Sequence, residues 1–73
     1  MATWTPVNSS FIQAVALCEQ SRIIAFRVNN EELFFEISNP RINVESLFNS
    51  FLRAKSKGRF FNQVFRKGGR LLK

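Results

Sequence analysis

The chain has 73 residues and a net charge of +6, and 45% of its residues are hydrophobic, including nine phenylalanines and one tryptophan. This size fits one small domain over residues 1–73 near the lower limit for independent folding, and the apolar content argues against a disordered body. The single cysteine, Cys18, excludes an internal disulfide, and no apolar run approaches the ~20 residues of a membrane span. With no signal-peptide pattern at the N-terminus, we expect a cytoplasmic protein.

The sign of the charge changes along the sequence. Residues 1–52 carry a net charge of −2, whereas residues 53–73 carry +8 and contain no acidic residue. Such complete segregation is typical of a charged binding face rather than of a uniformly solvated surface. The cations of this segment are Arg53, Lys55, Lys57, Arg59, Arg66, Lys67, Arg70 and Lys73.

The N-terminal half predicts strands. Residues 1–8 form an extended lead-in, and three apolar, partly alternating stretches follow at 9–18, 22–28 and 32–38. In the first stretch Phe11, Val15 and Leu17 fall on one face, with Ile12, Ala14, Ala16 and Cys18 on the other. Asn29-Asn30 supplies a tight turn because asparagine tolerates positive φ. The pattern predicts a three-stranded antiparallel β-meander.

The C-terminal half predicts two helices. An apolar stripe begins at Val44, with Asn43 as the predicted N-cap, and Gly58 lets the chain turn out of this helix. Ser56 is the candidate cap of a second helix at roughly 59–66, which is followed by a basic tail at 67–73. The predicted fold is therefore α+β with the order β-β-β-α-α. The stripe comprises Val44, Leu47, Phe48, Phe51 and Leu52.

Residues 54–62 read Ala-x-Ser-Lys-Gly-Arg-Phe-Phe-Asn, and this pattern resembles the signature of the KTSC domain. That domain occurs at the C-terminus of some lysyl-tRNA synthetases and as a free-standing small bacterial or phage protein. The resemblance covers roughly residues 7–66 and is specific only around 54–62. The family's central Tyr-x-Tyr is absent, since Leu33-Phe34-Phe35-Glu36 occupies that region. The resemblance implies the same fold and RNA binding.

The composition argues against catalysis. The chain contains no histidine, aspartate or tyrosine, which removes the commonest general bases, several metal ligands and the phenolic acids. A catalytic triad with histidine is excluded, and no glycine-rich phosphate-binding motif is present. We therefore expect a protein that is not an enzyme and has no cofactor, metal or small-molecule substrate.

The basic segment is the candidate binding site. Phosphate oxygens are expected to contact its side chains and the backbone amides around Gly58, while Asn62 offers hydrogen bonds to the bases or to the backbone of the nucleic acid. Phe34, on the outward side of the third strand, either stacks on bases or packs beneath a loop or Trp4; both interpretations are open. The candidate site comprises Arg53, Lys55, Ser56, Lys57, Gly58, Arg59, Asn62, Arg66, Lys67 and Phe34.

Three kinds of partner fit this segment. The first is nucleic acid, RNA or a single strand, bound mainly through its phosphates. The alternative is an acidic protein surface, on which the chain acts as a protein-interaction module or as a small inhibitor of the kind that phages encode. A membrane surface ranks last, because the apolar side chains of the helices are assigned to the core. Both a monomer and a homodimer are compatible with the sequence.

Overall fold

The computed structural model describes residues 3–66, in which a four-stranded antiparallel sheet precedes two helices. The α+β class is confirmed, but the predicted count of three strands is wrong. The strands occur in the sheet in their chain order, and the second helix continues directly as a π-helix. The elements are β1 (Thr5–Pro6), β2 (Ile12–Cys18), β3 (Ile23–Val28), β4 (Glu31–Glu36), α1 (Val44–Arg53), α2 (Lys57–Phe60) and the π-helix (Phe61–Arg66).

The additional strand is β1, within the stretch that was expected to be a lead-in. Thr5 pairs with Val15 and Pro6 pairs with Ala14, at the outer edge of β2. Two residues are too few to show an alternating pattern in a sequence. A proline is tolerated at this position because edge strands need not donate every backbone N–H.

A bulge in β2 changes the predicted division of its side chains between the two faces. The register shifts between Ile12 and Ala14, so that Ile12 and Val15 are both buried in the main core. The extra residue is Gln13, whose amide nitrogen donates to Asn30 Oδ1 at 2.9 Å and whose amide oxygen accepts from the Asn30 N–H at 2.8 Å. The bulge thus directs Gln13 onto the neighbouring hairpin turn.

The turn between β3 and β4 confirms the prediction for Asn29-Asn30. Both asparagines have positive φ, 50° and 67°, and Val28 pairs directly with Glu31 across the turn. Such a two-residue turn matches the right-handed twist of the strands that it joins. The observed β4 ends at Glu36, two residues earlier than predicted.

Both helices cover one face of the sheet, and phenylalanine rings fill the space between the layers. The Phe26 ring centroid lies 5.1 Å from that of Phe51 and 4.7 Å from those of Phe61 and Phe65. The predicted α1 stripe is confirmed, since Val44 and Phe51 are buried and its other members pack against the core. Asn43 caps α1, because its side-chain oxygen accepts from the Ser46 N–H at 2.8 Å.

Gly58 does not have the role that the sequence predicted. The chain leaves α1 at Ala54, which has extended backbone, and Gly58 lies inside α2 without a positive φ. A glycine is needed there for space, because a Cβ at this position would lie 2.7 Å from Cε1 of Phe11. The second helix accordingly begins at Lys57, before the predicted start at residue 59, and Ser56 is its N-cap as predicted.

Candidate functional site

The described part of the basic segment, residues 53–66, runs from the last turn of α1, through the connection to α2, to the end of the π-helix. Arg53, Lys55, Arg59 and Arg66 are exposed. Residues 3–66 contain one ion pair, between Arg27 and Glu32, and none of these four cations takes part in it. Their charges are therefore unopposed by the described part of the chain.

Acidic and basic residues lie at opposite ends of α1. Glu45 occupies its first turn and Arg53 its last turn, and the whole helix of ten residues is roughly 15 Å long. Each charge stabilises the helix by its position relative to the macrodipole. Glu19 lies beside Glu45, and the hydrogen bond with that carboxylate, together with its charge, raises the pKa of Glu19. The acidic pair is consequently kept away from the basic segment.

Ser56 is the N-cap of α2. Its hydroxyl oxygen accepts from the Arg59 N–H at 3.3 Å, and its carbonyl accepts from the Phe60 N–H at 3.0 Å. These bonds confirm the predicted cap and hold the first turn in which Arg59 stands exposed. A direct contact of Ser56 with phosphate stays a prediction.

Lys57 and Gly58 contribute to packing. The Lys57 ammonium donates to the Ala54 carbonyl at 3.3 Å, and the side chain is half-buried. This bond satisfies a carbonyl at the C-terminal end of α1, where a cation is favourable. The Phe11 ring lies where a Cβ of residue 58 would stand, so Lys57 and Gly58 differ from the exposed cations on either side.

The π-helix adds one exposed cation and one half-buried amide. Arg66 lies over the Phe61 ring, with its guanidinium carbon 5.3 Å from the ring centroid, and Asn62 is half-buried. Phe61 and Phe65 are buried, whereas Phe60 is half-buried and packs against the core. No phenylalanine of this helix is therefore exposed for stacking on a base. Lys67 lies outside the described residues.

Phe34 is exposed but lies on the other face of the sheet. Its side chain is 63% exposed, and it is the one exposed large hydrophobic residue among the described residues. Phe35 points into the core and contacts Phe61 and Phe65, so its neighbour Phe34 points away from the helices. The structure thus places the cations on the helical part of the chain and Phe34 on the face of the sheet away from the helices.

Sequence reasoning missed two arginines with definite partners. The Arg22 guanidinium donates to the carbonyls of Ile37, Asn39 and Ile42 at 2.8–2.9 Å, and Arg27 stacks 4.7 Å from the Trp4 ring centroid. Both contacts join distant parts of the chain, so no local pattern indicates them. These two arginines stabilise the fold, so the basic segment holds the main group of cations that have no partner within residues 3–66.

Residues 3–66 contain no group of three or more potential metal-ligating side chains, and no helix within this range is long and apolar enough to cross a bilayer.

No protein-family model and no curated protein matches the chain. The resemblance to the KTSC domain therefore stays a prediction that depends on residues 54–62.

Proposed function

We propose that this protein is a small non-enzymatic module that binds nucleic acid, RNA or a single strand, through phosphate contacts of its basic segment. The observation that carries the proposal is the group of exposed cations without acidic partners: Arg53, Lys55, Arg59 and Arg66. Cations of this kind supply most of sequence-independent affinity for nucleic acids. A cytoplasmic location and a KTSC-type fold are parts of the same proposal.

The surroundings of these cations favour backbone contacts over base recognition. The phenylalanines of the second helix are packed inward, and Phe34 lies on the opposite face of the sheet. Base stacking, which supplies much of the affinity of aromatic single-strand binders, has no platform beside the described cations. We therefore expect weak sequence preference and strong dependence of the affinity on salt.

The test is fluorescence anisotropy with labelled single-stranded RNA, single-stranded DNA and duplex DNA of equal length. Arg53→Glu/Arg59→Glu should weaken binding at least about tenfold at low salt, because two phosphate contacts become repulsive. The single variant Arg59→Glu is compared with Arg41→Glu as its matched control. Both arginines are exposed, but Arg41 precedes α1 and lies outside the basic segment. Lys57 is left intact because it donates to Ala54. Equal losses in the Arg41 and Arg59 variants would contradict the proposed surface.

An acidic protein surface is the second candidate partner. No aromatic side chain is exposed beside the described cations. This arrangement suits an acidic protein surface as well as it suits nucleic-acid phosphates, because both partners require only complementary charge. Purification from cells before and after nuclease treatment separates the two. Loss of the associated material on nuclease treatment supports nucleic acid, whereas one defined protein that persists supports the alternative.

A further inference from the structure

Strand β4 forms a free edge of the sheet. β4 runs from Glu31 to Glu36 and pairs with β3 alone among the described strands, whereas the opposite edge, β1, has only two residues. An edge strand leaves half of its backbone N–H and C=O groups without a partner in the sheet. β4 is therefore the longer of the two edges at which a further strand can be added.

The hairpin register shows which backbone groups point outward. Because Val28 and Glu31 flank a two-residue turn, they form a hydrogen-bonded pair, and such pairs alternate along the ladder. Leu33 and Phe35 then also bond to β3. The N–H and C=O groups of Glu32, Phe34 and Glu36 face away from β3, and no other backbone group within residues 3–66 pairs with them.

The side chains of Glu32, Phe34 and Glu36 determine the charge and the apolar character of this edge. Glu32, Phe34 and Glu36 alternate with the core-facing Leu33 and Phe35, so they lie together on the face of the sheet that is not covered by the helices. All three are exposed, and Phe34 is 63% exposed. Glu32 is paired with Arg27 of the neighbouring strand at 3.0 Å, so of these two carboxylates it is Glu36 that has no cation within residues 3–66. The edge thus presents an acid–aromatic–acid series in which alternate residues share one face.

A second copy of the chain is a poor occupant of this edge. If two β4 strands paired antiparallel about Phe34, Glu32 of one copy would lie opposite Glu36 of the other. Like charges directly opposite in a ladder are destabilising, and Arg27, which is already paired with Glu32, brings no free cation to Glu36. A strand with an apolar residue opposite Phe34 and a cation opposite Glu36 would instead be stabilised at both positions.

We propose that β4 is a docking edge for an extended basic peptide, which adds as a fifth antiparallel strand. The peptide's backbone pairs with Glu32, Phe34 and Glu36, its apolar side chain packs on Phe34, and a Lys or Arg two positions from that apolar residue pairs with Glu36. This edge is separate from the basic segment, so the inference does not depend on the proposed nucleic-acid binding.

The experiment titrates the full-length protein with a labelled peptide containing Lys-Thr-Val-Thr-Lys and follows amide hydrogen exchange by NMR. We expect saturable binding and at least tenfold slower exchange of the amides of Glu32, Phe34 and Glu36. The same peptide with proline in place of valine should lose binding, because proline cannot donate to the ladder. Since the protein carries a net charge of +6, general attraction does not favour a basic peptide.

Variants test the charge pairing. Glu36→Lys should weaken the lysine peptide about fivefold and strengthen binding of its glutamate counterpart, whereas Glu19→Lys, the same change in an exposed turn, should affect the two peptides alike. The proposal is overturned if the peptide does not bind, if the proline peptide binds equally, or if the three amides stay unprotected. In those cases the glutamates serve only to keep the edge from aggregating.

Discussion

At the scale of single residues, Arg22 shows how one side chain joins two distant segments. The half-buried guanidinium donates to three carbonyls of residues 37–42, and the Arg22 carbonyl accepts from the Ile37 N–H at 2.8 Å. The irregular connection between β4 and α1 is thereby fixed to the start of β3. Its stability should depend strongly on this arginine.

We predict that Arg22→Ala lowers the free energy of unfolding by about 3 kcal/mol, because partly buried carbonyls lose a charged donor. Arg22→Lys should cost about 1–2 kcal/mol, since an ammonium cannot reproduce the planar fork. Urea denaturation measures both, with Arg41→Ala as the exposed control. An unchanged urea midpoint for Arg22→Ala would contradict this role.

Glu19 gives a prediction about pH. Its pKa is raised above the ordinary value of 4.5, chiefly by the hydrogen bond with Glu45 and then by repulsion between the two charges. Because the pKa of Glu19 is higher in the folded state than in the unfolded state, protonation of Glu19 stabilises the folded protein. That contribution is fully present below pH 4.5 and is lost as the pH rises through the raised pKa.

Glu19→Gln should therefore remove part of the pH dependence of stability. The measurement compares urea midpoints of the wild type and the variant from below pH 4.5 to neutrality. The wild type should lose stability relative to Glu19→Gln as the pH rises. Parallel curves would show that the two carboxylates do not interact in solution.

At the scale of elements, Gly58 explains how α2 is placed close to the start of β2. The Phe11 ring lies where a side chain at residue 58 would begin, and it also makes an edge contact with Phe61 at a centroid distance of 6.0 Å. A larger residue at this position must displace the ring from the second helix.

Gly58→Ala should lower the free energy of unfolding by about 1 kcal/mol. Overpacking typically costs 1–3 kcal/mol, which exceeds the roughly 1 kcal/mol that alanine gains in helix propensity. For a domain of this size the melting temperature should fall by about 4–8 °C. A melting temperature equal to or above that of the wild type would show that Phe11 moves at no cost.

The elements also show what a sequence pattern can and cannot predict. The stripe of α1 and the Asn29-Asn30 turn were predictable, because both depend on side chains close together in the chain. The bulge at Gln13 and the two-residue β1 were not, since each is defined by its pairing with another strand. The role of Gly58 likewise depends on Phe11, 47 positions away, and not on local backbone geometry.

The same distinction applies to the candidate site. The positive charge of the site could be predicted from the sequence, because residues 53–66 contain cations and no acidic residue. The sequence did not separate Lys57, which bonds to Ala54, from Arg59, which is exposed. It identified Phe34 as outward-facing but assigned it to the basic site, from which the sheet separates it.

At the scale of the whole molecule, the protein has two chemically different surfaces. The helical layer carries the unopposed cations, while the free edge of the sheet carries Glu32, Phe34 and Glu36. These surfaces lie on different elements, so the two proposed binding activities are expected to be independent of each other. Charge reversal on one surface should therefore leave binding at the other largely intact.

The salt dependence of nucleic-acid affinity tests the central claim most directly. If the four exposed cations contact phosphates of a single strand, the logarithm of the affinity should fall against the logarithm of the salt concentration with a slope near −3. Arg53→Ala/Arg59→Ala should reduce the magnitude of this slope by roughly half, while Arg41→Ala should leave it unchanged. Affinity that does not depend on salt, or the same slope in all three proteins, would contradict the assignment of this surface to nucleic-acid phosphates.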